Sequence, residues 1–275
     1  MIAPPPNPPP QTPLRGFLAR LRHALAKARV KARGNEGLLS CGPLVGPVYV
    51  VGDIHGCNAL YQQMETRIAA DARSFDTAAL IVLLGDMIDN GPDSAGLVDH
   101  LTAPAPAGLN RLCLRGNHED MMLDFLRHPR MTHPWLRVGG YETLMSYGLR
   151  LKLDAALPSR RLRHLLLAHI PQAHRAFLEQ LPLGVLYDGY ALVHAAIDPR
   201  RPLARQPRET LLWGGPVTAA LPGLTVVHGH TIVTQVAVNA PCIGVDTGAH
   251  KTGRLSAVRL LPGGAPPALL EVPDA

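Results

Sequence analysis

Three apolar runs in the first half of the chain, at 48–51, 78–84 and 111–114, each stop at or just before a glycine. Carboxylate, amide or imidazole side chains follow. The first reads Val48-Tyr49-Val50-Val51-Gly52-Asp53-Ile54-His55-Gly56. A run that is apolar at both alternating positions suits a strand buried on both faces. The period of two then sends Asp53 and His55 to one side as the chain leaves the sheet. Between the runs, 58–71 reads as a helix, and so does the stretch from a capping Asp93 to about Leu101. Strand, polar turn and helix repeated three times predict right-handed βαβ units and a mainly parallel sheet. In open sheets of this kind the chemistry lies at the carboxyl ends of the strands.

The remainder changes character twice. Helical patterns at 121–127, 141–146, 160–168 and 172–180, broken by proline and glycine, predict a helical insertion over about 120–182, able to wall a substrate site. Short strands are expected from Gly184 onward, at 185–187, 190–194, 225–227, 235–238, 242–245 and 255–260, with an edge strand near 268–272. They predict a second sheet packed on the first. The expected class is α/β, with this main domain over 44–275.

Residues 1–43 are set apart by composition. Residues 1–13 are dominated by proline, which favours an extended, solvated tail. Over 14–33, Leu14, Phe17, Leu18, Leu21, Leu25 and Ala28 recur at helical spacing while Arg15, Arg22 and Arg29 fall on another face. A helix docked on the domain, a solvated linker, and contact with an anionic membrane surface or acidic partner all fit this pattern. The formal net charge of +6 lies here: seven Lys/Arg stand against Glu36 in residues 1–40, and the rest is balanced. A neutral main domain argues against nucleic acid as partner. The four cysteines lack metal-type spacing, and the sequence shows neither a secretory signal nor a membrane-length apolar run. A cytoplasmic protein is expected.

Taken singly, each strand-end residue is open to a plain reading as a turn former or structural histidine. Taken together, Asp53, His55, Asp86, Asp89, Asn117, His118, His194, His228 and His230 follow five apolar strands, and the joint reading is a centre for two metal ions. Oxygen and imidazole donors without thiolate suit two divalent cations, Mn²⁺ first, with Fe or Zn²⁺ as alternatives. Two such ions bring more positive charge than Asp53 and Asp86 return, which favours a phosphate dianion and acidifies bound water. The implied reaction is in-line hydrolysis of a phosphate ester.

Gly52-Asp53-Ile54-His55-Gly56, Gly85-Asp86-x-x-Asp89-x-Gly91, Gly116-Asn117-His118-Glu119, Val193-His194-Ala195 and Gly229-His230-Thr231 resemble the motifs of calcineurin-like metallophosphoesterases. The closer likeness is to the bacterial and phage branch of the phosphoprotein (serine/threonine) phosphatase family. Asp246-Thr247-Gly248-Ala249 and Trp135-Leu136-Arg137-x-Gly139-Gly140 also fit that branch. The resemblance implies a β-sandwich of two sheets flanked by helices. It gives Asp53 and His55 to one metal, Asn117, His194 and His230 to the other, and Asp86 to both. His118 would protonate the leaving oxygen, oriented by Asp89, while His228 is supporting or structural.

Two positions depart from the family pattern. Arginine is usual where this chain has Asn90, and again where Leu212-Trp213-Gly214 leads to Gly215. Neither residue can supply a guanidinium fork to phosphate. Arg137, Arg200, Arg201, Arg205 and Arg208 are the candidate substitutes. Three readings follow: a phosphatase acting on a phosphorylated protein or small phosphorylated metabolite, a dinucleoside polyphosphate hydrolase, or a weakly catalytic, metal-containing protein that binds phosphorylated partners.

Overall fold

The computed structural model describes residues 38–152, 157–187, 189–215 and 221–273. The predicted helix over 14–33 lies outside them. Among the described residues, ten strands form two five-stranded sheets. The first sheet runs β10 (Ala268–Pro273), β9 (Arg254–Leu260), β2 (Val48–Val51), β3 (Ala79–Leu83), β4 (Leu109–Cys113). Its β2, β3 and β4 are parallel, while β9 runs antiparallel to β2 and β10 antiparallel to β9. The second runs β1 (Leu39–Gly42), β5 (Gly184–Tyr187), β6 (Tyr190–Val193), β7 (Thr225–His228), β8 (Cys242–Gly244).

Period-two alternation explains why the runs are apolar throughout. Val48, Val50, Leu80, Val82, Leu112 and Leu114 meet Val185, Leu192, Val227, Ile243 and Val245 in the core between the sheets. Their neighbours Tyr49, Val51, Ile81 and Leu83 point the other way, against Leu60, Tyr61, Met64 and Ile68 of α1 (Asn58–Ala72) and Leu97 of α2 (Ser94–Thr102). Beyond the second sheet, Ala191, Val193 and Val226 pack on Leu211 and Leu212 of α7 (Arg208–Trp213). At about 1.5–3 kcal/mol per fully buried aliphatic side chain, this three-layered burial dominates the stability.

The register sets the site. Val51 pairs with Leu83 and Leu83 with Cys113, so β2, β3 and β4 end level. Val193 pairs with His228 and His228 with Gly244, so β6, β7 and β8 end level in the other sheet. The region expected to be helical holds α3 (Asn117–Arg127), α4 (Gly140–Ser146), α5 (Ser159–His169) and α6 (Gln172–Glu179).

Two expectations need correction. β1 lies ahead of residue 44 and pairs parallel with β5, so the second sheet begins before the expected domain start. None of its four residues is buried, Ser40 being exposed, and they carry no alternation a sequence reading could use. Conversely, 235–238 is not a strand. Val236 and Val238 reach the inter-sheet core from an irregular segment that turns back through the Ala240 N–H to the Ala237 carbonyl. Among the described residues, no helix is long and apolar enough to cross a membrane.

Candidate dimetal centre

Past the level strand ends, the loops are laced together by their backbones. The N–H groups of Ile54 and His55 both donate to the Asp86 carbonyl, at 3.1 and 2.9 Å, and the Gly56 N–H donates to Met87 at 2.8 Å. The Gly229 N–H donates to the His194 carbonyl at 2.8 Å, joining the ends of β6 and β7. The two sheets meet where the His230 N–H donates to Asp53 Oδ2 at 2.9 Å.

Backbone strain concentrates in these loops. Among the described residues, the non-glycine residues with positive φ are His55, Asp86, Asp89, Asn90 and His230. Each left-handed residue costs on the order of 1–3 kcal/mol unless its surroundings hold it. Here the laced hydrogen bonds do so; His55, Asp86 and Asp89 are buried, His230 is partly buried and Asn90 is exposed.

Asp86 stands at the middle. Its Oδ2 lies 3.6 Å from His55 Nε2 and 3.8 Å from His118 Nε2. Its Oδ1 lies 3.5 Å from His194 Nε2 and accepts the His118 N–H, at the start of α3, at 3.0 Å. Two potential ligand groups share it: His55, Asp86 and His118, and Asp86, His194 and His230, each with donor atoms within 4.8 Å of one another. Asn117 Oδ1 joins the second group, 2.8 Å from His194 Nε2 and 3.1 Å from His230 Nδ1. Asp53 belongs to neither group; it follows β2, in the same sheet as Asp86, and meets the second group where its Oδ2 accepts the His230 N–H.

The donors fit divalent cations on several counts. Asp53 Oδ1 is buried with no hydrogen-bond partner. A Cβ on Gly229 would collide with that oxygen, and one on Gly116 would collide with Asp86 Oδ1. Burial and the neighbouring carboxylates of Asp246 and Asp86 push Asp53 well above its ordinary pKa. Burial drives Asp86 up to about 8, against the pull of His118. His55 falls to about 3 through burial and the adjacent imidazoles, and His194 falls as well, so both are neutral donors. Carboxylates that resist ionising alone and imidazoles held neutral are what a cation would satisfy.

His118 is different. Its Nδ1 lies 2.7 Å from Asp89 Oδ2, which also accepts the Trp135 indole N–H at 2.7 Å. The other oxygen, Oδ1, accepts the Thr143 hydroxyl at 2.6 Å. Burial alone would lower the His118 pKa, but the carboxylates of Asp86 and Asp89 outweigh it and raise it to about 9. A charged imidazole held through Nδ1 keeps Nε2 free to give a proton.

Sequence reasoning assigned no role to three participants. Glu119, fully buried, accepts the backbone N–H groups of Asp86, Met87 and Gly116 at 2.9, 2.8 and 2.8 Å. His250 sets its ring against His55 with centroids 4.6 Å apart. Asp246 lies buried beside Asp53, its Oδ1 accepting the Gly248 N–H at 2.7 Å. The signal for Glu119 was its place in Gly-Asn-His-Glu; for His250 the sequence offered none. His228 stays outside the ligand groups, its Nδ1 3.0 Å from the Gly229 carbonyl oxygen. The side chain of Asn90 lies 3.2 Å from His55 Nδ1.

A family model described as calcineurin-like phosphoesterase matches residues 46–233. Serine/threonine-protein phosphatase 2 of Escherichia coli is 26% identical over 76% of this chain and 90% of its own length. Serine/threonine-protein phosphatase 1 of Salmonella typhimurium is 38% identical, over 34% of this chain and 38% of its own length. A symmetrical bis(5'-nucleosyl)-tetraphosphatase of Aromatoleum aromaticum is 28% identical over 60% of this chain and 51% of its own. Among solved structures, one provisionally named a diadenosine tetraphosphatase superposes with a TM-score of 0.59 at 24% identity, covering 88% of this chain and 99% of that one. The cold-active protein-tyrosine phosphatase of a Shewanella species gives 0.52 at 17%, covering 83% and 82%. At these identities the structural likeness speaks for the fold.

Proposed function

Since the chain belongs to the calcineurin-like phosphoesterase family, we propose that this hydrolase cleaves phosphate monoesters of a phosphorylated protein or small phosphorylated metabolite at the centre built around Asp86. The observation that carries this reading is the sharing of Asp86 between two groups of potential ligands, one of which also contains His118, whose Nδ1 is held by Asp89. Asp53 and His55 would hold one divalent ion, Asn117, His194 and His230 the other, and Asp86 both. Manganese heads the candidates, with iron or zinc as alternatives. Bound there, the ions would supply Lewis acidity and offset the charge of the phosphoryl group.

The chain's own residues do the rest. His118 donates the proton from Nε2 to the leaving oxygen, while Asp89 fixes the ring and stabilises its charge. Trp135 and Thr143 also donate to Asp89, one to each oxygen, and hold the carboxylate in orientation. Glu119 pins the turns after β3 and β4 into one unit, and Asp86 and Asn117 keep their spacing.

A second reading, hydrolysis of a dinucleoside polyphosphate, draws on the Aromatoleum relative and on one local feature. Trp213 is 46% exposed, with its ring 6.4 Å from that of His230. It lines a cleft of about 490 Å³ together with Asp120, Arg208, Glu209 and Leu212. An exposed indole beside the centre is a stacking surface for a base, and equally for an aromatic side chain of a phosphopeptide. Turnover by the Mn²⁺-loaded protein of phosphopeptides, nucleotides and dinucleoside polyphosphates, with Asp86→Asn as control, separates the readings. Phosphopeptide turnover supports the first. Exclusive turnover of dinucleoside polyphosphates replaces it with the second, and no turnover of any class would sink both.

A further inference from the structure

The phosphate clamp that Asn90 and Gly215 fail to provide needs another source, and the arginines suggested by the sequence are poorly placed to be it. Arg200 and Arg201 both pair with Asp198, at 3.1 and 3.5 Å, and Arg208 pairs with Asp120. Arg137 and Arg205 are exposed and, among the described residues, have no side-chain hydrogen bond or ion pair. Among the described residues, none of the five has a hydrogen bond, ion pair or ring contact with a proposed metal ligand.

A different segment does. After β8 the chain passes through Asp246 and Thr247 into the short helix α8 (Ala249–Thr252), which carries His250 and Lys251. The His55 ring sits between two imidazoles, with the His118 centroid at 4.7 Å and that of His250 at 4.6 Å. His250 Nδ1 is buried without a hydrogen-bond partner. An N–H buried without an acceptor is the costlier alternative, so the proton belongs on Nε2. That leaves the ring one donor with no partner inside the described protein. Lys251 is exposed and follows His250 directly in α8, so its charge is carried by the segment that touches the His55 ring.

The segment is held in place. The Gly248 N–H is bound by Asp246 Oδ1 at 2.7 Å, the Thr247 hydroxyl donates to the Arg254 carbonyl at 2.8 Å, and the Thr252 hydroxyl donates to the Thr247 carbonyl at 2.8 Å. Gly248 takes φ of +70°, the turn that leads into α8. A donor on a fixed turn loses little freedom when it binds an anion.

We infer that His250 and Lys251 form an oxyanion subsite on the His55 side of the centre, binding the phosphoryl oxygens of the substrate in place of the absent arginines. This inference rests on the phosphoesterase reading above, but its test reads binding rather than turnover. The full-length, Mn²⁺-loaded protein is titrated with inorganic phosphate by calorimetry, with metal content measured for each variant. His250→Ala and Lys251→Ala should each keep both metals and bind phosphate roughly tenfold more weakly, as expected for losing one donor to a charged ligand. Lys251→Arg should stay near the unmodified affinity, and Arg205→Ala should be unchanged. Phosphate affinity within about twofold of the unmodified protein in both alanine variants overturns the subsite. So does a loss that follows Arg205→Ala, a loss of metal in His250→Ala, or an unmodified two-metal protein that binds no phosphate. A protein that binds phosphate through these residues yet turns over no phosphate ester leaves the subsite standing and removes the proposed activity.

Discussion

The Glu119 carboxylate, in the first turn of α3, accepts the backbone N–H of Asp86, on the turn after β3, at 2.9 Å. The same carboxylate takes the Met87 and Gly116 N–H groups, so one side chain fixes the turns that carry Asp86, Asn117 and His118. In Glu119→Gln an amide NH₂ would face at least one of these donors. The expected cost is about 1–3 kcal/mol, read as a lower Tm in thermal unfolding. Metal affinity should fall as well, since Asp86 loses its support. An unchanged Tm would show that the turns hold without it.

Asp89, together with Asp86, raises the proton affinity of His118. Burial pulls that imidazole down, and the carboxylates of Asp86 and Asp89 raise it to about 9. A general acid with a raised pKa works below it and is lost as pH rises through it. Asp89→Asn should therefore move the basic limb of the kcat/KM profile to lower pH, with metal content kept. A basic limb that stays put would assign it to a different group.

Away from the centre, Glu65 is buried and binds Arg111 Nε at 3.0 Å and His100 Nε2 at 2.8 Å. Both Arg111 and Glu65 side chains are only 6% exposed. Removing one partner of a buried pair typically costs about 3–5 kcal/mol, so Glu65→Ala should unfold at much lower denaturant concentration. Residual folded protein should bind metal normally. A loss under about 1 kcal/mol would mean that water reaches Arg111.

The strand framework was legible because Val48–Val51 and Ala79–Leu83 are buried on both faces, which makes their runs continuously apolar. Their abrupt endings at Gly52 and Gly85 marked where the chemistry would gather. β1 was not legible: its strand character comes from pairing with β5, a long-range contact that four residues cannot announce. Val236 and Val238 misled in the opposite direction, since burial against the core does not require a ladder. Glu119 and His250 escaped for a related reason. Their partners, the Asp86 backbone and the His55 ring, are neighbours only after the strand ends meet.

That β1 pairing sharpens the expectation for the N-terminal segment. Deleting residues 1–37 removes the whole formal excess charge and should leave a folded domain with unchanged turnover on small substrates. Binding to anionic vesicles or an acidic partner, if the full chain shows it, should disappear with the deletion and weaken with salt beforehand. Deleting residues 1–43 also removes β1 and should lower the Tm further, because the edge of β5 is then left unpaired. Equal Tm values for the two truncations would assign β1 no stabilising role.

The central claim is that Asp86 serves two ions, and metal stoichiometry tests it most directly. After Mn²⁺ loading and removal of free metal, elemental analysis should give two ions per unmodified chain and at most one in Asp86→Asn. His118→Asn should retain both while losing turnover. No bound metal in the unmodified protein, or two ions retained in Asp86→Asn, would contradict the account.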